Sequence, residues 1–225
     1  MLHITAIMRE LLPALLQIIL FNITANAQTC ECPAEYIYSN SADRLFEFSN
    51  GKSVKICGFS GNKGADTIYS EFAVVECNSG KALRTWDATQ DCRIVLSQDT
   101  LTIQDLILLP IGKDMSVINT TFFVTQYFTA NDAITSYSYF RKDLPLYSKA
   151  QMEQALSNYN AIQEGNTEAN ILIAYQLFWA FVSGSTAAEE FLKVFEEKPG
   201  GFDGASAEEY HSLMDVYQQY KVQKK

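Results

Sequence analysis

Residues 45–57 read LFEFSNGKSVKIC, and this stretch decides the fold class of the first half of the chain. Asn50-Gly51 supplies the two positive backbone φ angles that a type I′ turn needs. On both sides of the turn, apolar side chains alternate with polar ones; these are Phe46, Phe48, Val54 and Ile56. The pattern predicts a β-hairpin with one buried face.

Further strands are predicted on the C-terminal side of this hairpin, as far as about residue 140. A second hairpin is expected from Tyr69–Cys77 to Lys81–Trp86, with its turn at Asn78-Ser79-Gly80. Residues 92–96, 101–109, 117–128 and 134–140 are rich in Thr, Val, Ile and aromatic side chains, which favours strands. Residues 58–64 are Gly-rich and are predicted as a loop between strands. Short strands with frequent turns indicate an antiparallel sandwich or curved sheet.

The pattern changes from strands to helices near residue 145. Ser148 and Gln151 form a capping box for a helix over 149–164. The next helix, over 168–183, is apolar almost all round and is expected to be buried centrally. Similar boxes, at Thr186 with Glu189 and at Ser206 with Glu209, predict two more helices. We therefore expect an α+β fold, with a disulfide-stapled β domain over 28–145 and a bundle of about four helices over 146–225.

The first 27 residues have the features of a secretory signal peptide. Leu11–Phe21 is apolar but shorter than the roughly 20 residues that span a membrane. Ala25-Asn26-Ala27 supplies a small-x-small cleavage site, so the mature chain is expected to begin at Gln28. This predicts an exported protein, periplasmic or extracellular, with no stable membrane span after cleavage. A buried N-terminal helix and lipidation at Cys30 are the alternatives.

All five cysteines lie in the predicted β part: Cys30, Cys32, Cys57, Cys77 and Cys92. In an exported chain such clustering indicates disulfides. The spacing contains no C-x-x-C pair, which disfavours a zinc or thioredoxin-like motif. The odd number leaves one thiol over.

A simple up-and-down meander predicts how the cysteines pair. Cys57 would end one strand, and Cys92 would begin another, at the same end of the sheet, with Cys77 at the opposite end. Eight residues of strand separate the two ends by about 26 Å, whereas a disulfide needs Cα atoms within about 7 Å. The meander thus excludes Cys57–Cys77 and predicts Cys57–Cys92. Cys77 would then pair with Cys32 or Cys30; we prefer Cys32, which leaves Cys30 as the unpaired thiol.

Few residues of the mature chain suggest catalysis or metal binding. His211 is its one histidine, and its acidic neighbours on a predicted helix are typical of a solvated surface residue. No G-x-S-x-G or phosphate-binding loop accompanies it. Oxidised cysteines would leave zinc too few ligands. We therefore expect no metal and no cofactor.

Two groups of residues are candidates for ligand binding. Trp86, Asp87 and Asp91 combine an aromatic ring with two acids around a loop, as some sugar-binding sites do. Tyr137 and Tyr139 lie on one face of a predicted strand and could stack on a ligand. Loops of the first kind are common, and a tyrosine ladder on a half-exposed sheet is the ordinary explanation of the second pattern, so neither pattern requires a ligand.

The net charge of −9 limits the partners. An acidic chain without a basic run repels nucleic acid, whereas a basic protein is electrostatically favoured. We expect an exported, non-catalytic binding or interaction protein. The alternatives are an acidic inhibitor or immunity-type protein against a basic enzyme, and a carboxylate-based periplasmic enzyme acting on glycans.

Overall fold

The computed structural model describes residues 30–36, 44–63, 66–86, 91–162, 167–198, 202 and 204–224. The predicted signal peptide and Asp87 lie outside the described residues. Within them, an antiparallel sheet of eight strands is followed by four helices, which confirms the expected α+β architecture.

The strands are β1 Arg44–Glu47, β2 Ser53–Lys63, β3 Asp66–Glu76, β4 Lys81–Trp86, β5 Cys92–Ser97, β6 Thr100–Leu109, β7 Ile118–Ala130 and β8 Ala133–Phe140. The helices are α1 Lys149–Asn160, α2 Thr167–Val182, α3 Thr186–Lys193 and α4 Gly204–Lys224. Short 3₁₀ turns lie at Ala34–Tyr36, Lys113–Met115 and Phe195–Glu197. Both predicted hairpins are present, at β1–β2 and β3–β4. The predicted type I′ turn is wrong, because Gly51 has a positive φ and Asn50 does not. The amide of Gly51 donates to the carbonyl of Phe48 at 2.9 Å, so the turn is centred one residue earlier.

The sheet order is β1-β2-β3-β5-β6-β7-β8, and β4 pairs with the same edge of β3 as β5. The sheet folds over on itself. This is shown by Arg84 of β4, which donates a hydrogen bond of 2.7 Å to Thr125 of β7, although the two strands are not neighbours in the sheet order. The inner core lies between its two halves and contains side chains from both ends of the strand order: Phe46, Val54, Ile56, Phe72, Trp86, Leu101, Ile103 and Tyr127.

A β-bulge marks where the sheet passes from this inner core to the helices. Asp105 pairs with Phe123 and Leu106 pairs with Thr121, so Phe122 is an extra residue on β7. Phe122 and Phe123 face a second core that they share with all four helices. The helices therefore pack on the sheet. Trp179 of α2 is 1% exposed at the centre of this second core, as the apolar helix predicted.

Local predictions failed at three element boundaries. The capping box at Ser148 is present, but α3 is capped by Ser185, whose hydroxyl accepts a hydrogen bond of 3.2 Å from the amide of Ala188. Helix α4 begins at Gly204, so Ser206 lies inside it. Strand β2 continues to Lys63, so the Gly-rich segment is strand rather than loop.

The disulfides also differ from the prediction. Cys30 is bonded to Cys77 and Cys32 to Cys57, while Cys92 is outside any disulfide and buried. The predicted Cys57–Cys92 and Cys32–Cys77 bonds, with Cys30 left over, are wrong. Alternate residues of a strand face opposite sides of a sheet. Cys57 lies on the outer face of the sheet beside Cys32, whereas Cys92 faces the inner core, so a bond between them would have to cross the sheet.

Candidate functional site

A cavity of about 450 Å³ lies between strands β6 and β7 and helices α2 and α4. Its apolar wall comes from both layers: Leu106, Phe122, Phe123, Leu213 and Val216. Two local features create this space. The bulge at Leu106 turns the sheet towards the helices, and α4 presents side chains to the cavity at intervals of three and four residues, as one helix face does.

Carboxylates supply the charge of the cavity. Asp91, Asp105, Glu208 and Glu209 line it, and no lysine, arginine or histidine is among its described lining residues. Glu208 is exposed at the surface, whereas Asp105 is only 8% exposed. The lining therefore grades from a solvated acidic rim to a buried carboxyl group.

Two side chains of the inner core hold the carboxyl group of Asp105 in place. Its Oδ1 accepts a hydrogen bond of 3.0 Å from Trp86 Nε1 and another of 3.4 Å from the thiol of Cys92. Burial raises the pKa of Asp105, and the nearby positive charge of Arg84 opposes this shift only in part. Burial raises the pKa of Cys92 as well, so the thiol stays protonated and remains a donor.

Arg84 supports this arrangement without contacting the carboxyl group. Its guanidinium carbon lies 4.6 Å from the centre of the Trp86 ring, which is cation–π distance. Its Nη1 donates to Thr125 at 2.7 Å and to Ser138 at 3.4 Å. Arg84 therefore ties β4 to β7 and β8, and it orients the indole that holds Asp105.

On the opposite wall, Tyr175 of α2 is hydrogen-bonded to Glu209 of α4, and burial is the main reason that its pKa is raised. A protonated phenol is a donor, so this bond fixes the carboxylate of Glu209 beside the cavity. Ser212 Oγ donates to the main-chain carbonyl of Glu208 at 3.0 Å. Tyr175 and Ser212 thus each have a hydrogen-bond partner within the protein.

The sequence-predicted candidates are separated by the structure. Asp91 lines the cavity, and its carbonyl accepts a hydrogen bond of 2.8 Å from the amide of Leu106 at the bulge. Trp86 is 2% exposed, so it offers no aromatic surface to a sugar. Tyr137 and Tyr139 stack with ring centroids 5.6 Å apart, on the outer face of the sheet and away from the cavity.

Tyr139 borders a second, open depression of about 570 Å³ on the outer face of β5–β8. Its polar lining includes Arg93, Thr102, Gln104, Gln126, Arg141 and Asp143. Arg141 and Asp143 form an ion pair at its edge. This depression is more open than the cavity, since it lies on one face of the sheet, whereas the cavity lies between the sheet and the helices.

Asp105 is the residue that the sequence prediction missed. A signal for it exists, because Leu101, Ile103 and Asp105 alternate along β6 and all three are buried. An acid in the inward register of an apolar strand is costly unless it is paired or functional. Reading β6 by alternation would have singled it out.

The remaining chemical groups stay apart from the cavity. His211 is exposed on α4, and its Nε2 lies 2.7 Å from Oε1 of Glu196. Over the described residues, no group of three or more His, Cys, Asp or Glu side chains is placed to hold a metal ion. In the same part of the chain, no helix is long and apolar enough to cross a membrane.

Comparison with models of protein families, with curated proteins and with solved structures found no match to this chain.

Proposed function

We propose that the protein is an exported binding protein that holds a small organic molecule in the cavity between its sheet and its helices. The observation that carries this proposal is the cavity itself, with about 450 Å³ enclosed by two layers. Small-molecule sites typically have about 300–1,000 Å³ and combine apolar walls with a few polar groups.

The lining supports a ligand with an apolar body. Phe122, Phe123 and Leu213 belong to the second core, so this part of the wall is held rigidly by packing. A preorganised wall reduces the ordering cost of binding. An aromatic or branched aliphatic group would replace water against these side chains.

The disulfides support export. The Cys30–Cys77 and Cys32–Cys57 bonds need an oxidising compartment, which a secreted or periplasmic chain encounters. Export and the predicted cleavage after Ala27 are therefore consistent parts of one proposal.

Binding rather than catalysis is proposed because two hydroxyl groups at the cavity already have structural roles. Ser212 bonds to the main chain, and Tyr175 is a donor to Glu209.

One observation favours a second candidate, a carboxylate-based enzyme acting on glycans. Asp105 combines a raised pKa with a second acid, Asp91, at the same cavity, and such pairs serve as acid and base in glycosidases.

The test uses 2-phenylethanol as a neutral aromatic probe and follows backbone amide shifts of the oxidised protein by NMR. We expect shifts confined to β6, β7, α2 and α4. Ser212→Phe places a ring in the cavity and should abolish them. Gln218→Phe is the matched control, because Gln218 is exposed on the same helix and lies outside the lining. Shifts on another surface, or binding that survives Ser212→Phe, would contradict the proposal.

A further inference from the structure

Asp105 presents an unusual combination of burial and incomplete pairing. Its side chain lies in the middle of β6, 8% exposed, beside the cavity. A buried carboxylate is costly unless donors or a cation compensate it. Both of the donors that contact it, Trp86 and Cys92, bond to Oδ1. Among the described residues, no donor contacts Oδ2.

The positively charged side chain near Asp105 does not donate a hydrogen bond to Oδ2. Arg84 influences Asp105 electrostatically, but its Nη1 is committed to Thr125 and Ser138. The cavity lining adds further acids and the uncharged donors Asn119, Tyr175, Ser212 and Gln219, and none of these donors is hydrogen-bonded to Asp105. The buried carboxyl group therefore has one satisfied oxygen and one that no donor of the described residues contacts.

We propose that the ligand of this cavity carries a protonated amine, and that Asp105 Oδ2 is the acceptor for that ammonium group. This inference rests on the proposed binding function and names the chemical class of the ligand. An ammonium group supplies three donors and a positive charge. Asp91, Glu208 and Glu209 add attraction at the rim, so an amine is drawn in and an anion is repelled.

Binding should also couple to protons. Burial favours the neutral form of Asp105 in the empty protein, and an ammonium ion favours the charged form. The charged or titratable groups around Asp105 are Arg84 of β4, Asp91 and Cys92 before and on β5, Tyr127 of β7, Tyr175 of α2, and Glu208 and Glu209 of α4. Affinity for the amine should therefore increase as the pH rises through the raised pKa of Asp105, with a proton released on binding.

The test compares 2-phenylethylamine, 2-phenylethanol and phenylacetate by isothermal titration calorimetry. We expect the amine to bind at least about tenfold more tightly than the alcohol, and phenylacetate to bind most weakly. Asp105→Asn keeps an oxygen acceptor for Trp86 and should remove the preference for the amine while keeping alcohol binding. Asp215→Asn is the control, because Asp215 is exposed on α4 and outside the lining, with the same change in charge.

A second measurement does not depend on a variant. Titration of the unmodified protein with the amine, in two buffers of different ionisation enthalpy near the acidic end of its stable range, should show proton release. Equal affinity for amine and alcohol would overturn this inference alone. If neither the amine nor the alcohol bound, both the proposed function and this inference would be contradicted. A preference for the amine that persisted in Asp105→Asn would also overturn the assignment to Asp105.

Discussion

The indole Nε1 of Trp86 donates a 3.0 Å hydrogen bond to Oδ1 of Asp105, joining β4 to β6 across the inner core. Arg84 lies against the other side of that contact, over the Trp86 ring. Trp86 thus links a half-buried cation to a buried acid, and Asp105 in turn borders the cavity. Stability and ligand binding are expected to depend on the same side chain.

Trp86→Phe keeps an aromatic ring but removes the donor. A hydrogen bond to a charged group contributes about 1.5–3 kcal/mol. At a pH above the raised pKa of Asp105, where its carboxyl group is ionised, we expect the free energy of unfolding to fall by roughly that amount. Trp179→Phe is the matched control, since Trp179 Nε1 donates at 3.0 Å to a neutral carbonyl, that of Pro145. Its loss should be smaller, about 0.5–1.5 kcal/mol.

Urea unfolding, followed by circular dichroism, measures both variants. A Trp86→Phe effect no larger than that of Trp179→Phe would show that the bond to Asp105 contributes little beyond ring packing.

Acid stability should depend on Glu189 of α3. The Lys221 ammonium and the Tyr217 hydroxyl donate to it, and these bonds lower the pKa of Glu189 to about 2. A carboxyl group whose pKa is lowered by folding stabilises the folded state above its ordinary pKa, near 4.5, and loses that contribution as the pH falls towards 2. Glu189→Gln should therefore flatten the fall in melting temperature over this range.

Glu190→Gln is the control for this prediction, because Glu190 is exposed beside Glu189 on the same helix. Its pH profile should follow that of the unmodified protein between pH 4.5 and 2. Parallel profiles for all three proteins would contradict the role assigned to Glu189.

The predicted signal peptide makes a claim about the exported product. Expressed with its first 27 residues in a bacterium that exports it, the protein should be recovered with Gln28 at its N-terminus. The Cys30–Cys77 bond uses the sulfur atom that lipidation of Cys30 would need, so no lipid is expected. Intact mass and N-terminal sequencing check both points. Replacing Ala27 with leucine should block cleavage; a lipid mass on Cys30 would contradict the disulfide.

The parts of the fold that were predictable are those set by local chemistry. Asn50-Gly51 marks the tight turn between β1 and β2, although only Gly51 has the positive φ expected of both residues, and Ser148 with Gln151 caps a helix from within four residues. The cap of α3 was misplaced by only one residue, because Ser185 and Thr186 are equally able to accept a hydrogen bond from the next turn.

The disulfides and the cavity depended on long-range geometry that no local pattern contains. Cys32 lies on the outer face of the sheet beside Cys57, and Lys55 Nζ bonds to the carbonyl of Cys30 at 3.1 Å. That path decides the pairing of Cys30 and Cys32. The cavity needs β6 and α4 to meet, although about 100 residues separate them in sequence. Asp91 was predicted as a candidate and does line the cavity, but its neighbours there could not be predicted without the fold.

Cys92 provides the sharpest test of the cysteine arrangement. It is 0% exposed, and burial is the main cause that raises the pKa of its thiol. A thiol that stays protonated and buried reacts slowly. We therefore expect native oxidised protein to show almost no reaction with a thiol reagent, and one thiol per chain after unfolding.

Peptide mapping without reduction should find Cys30 joined to Cys77 and Cys32 to Cys57. Removal of the Cys32–Cys57 bond by a double change to serine should lower the free energy of unfolding by about 3.5 kcal/mol, because that bond closes a loop of 25 residues. A rapidly reacting thiol in the native protein, or a peptide containing Cys92 in a disulfide, would contradict this arrangement.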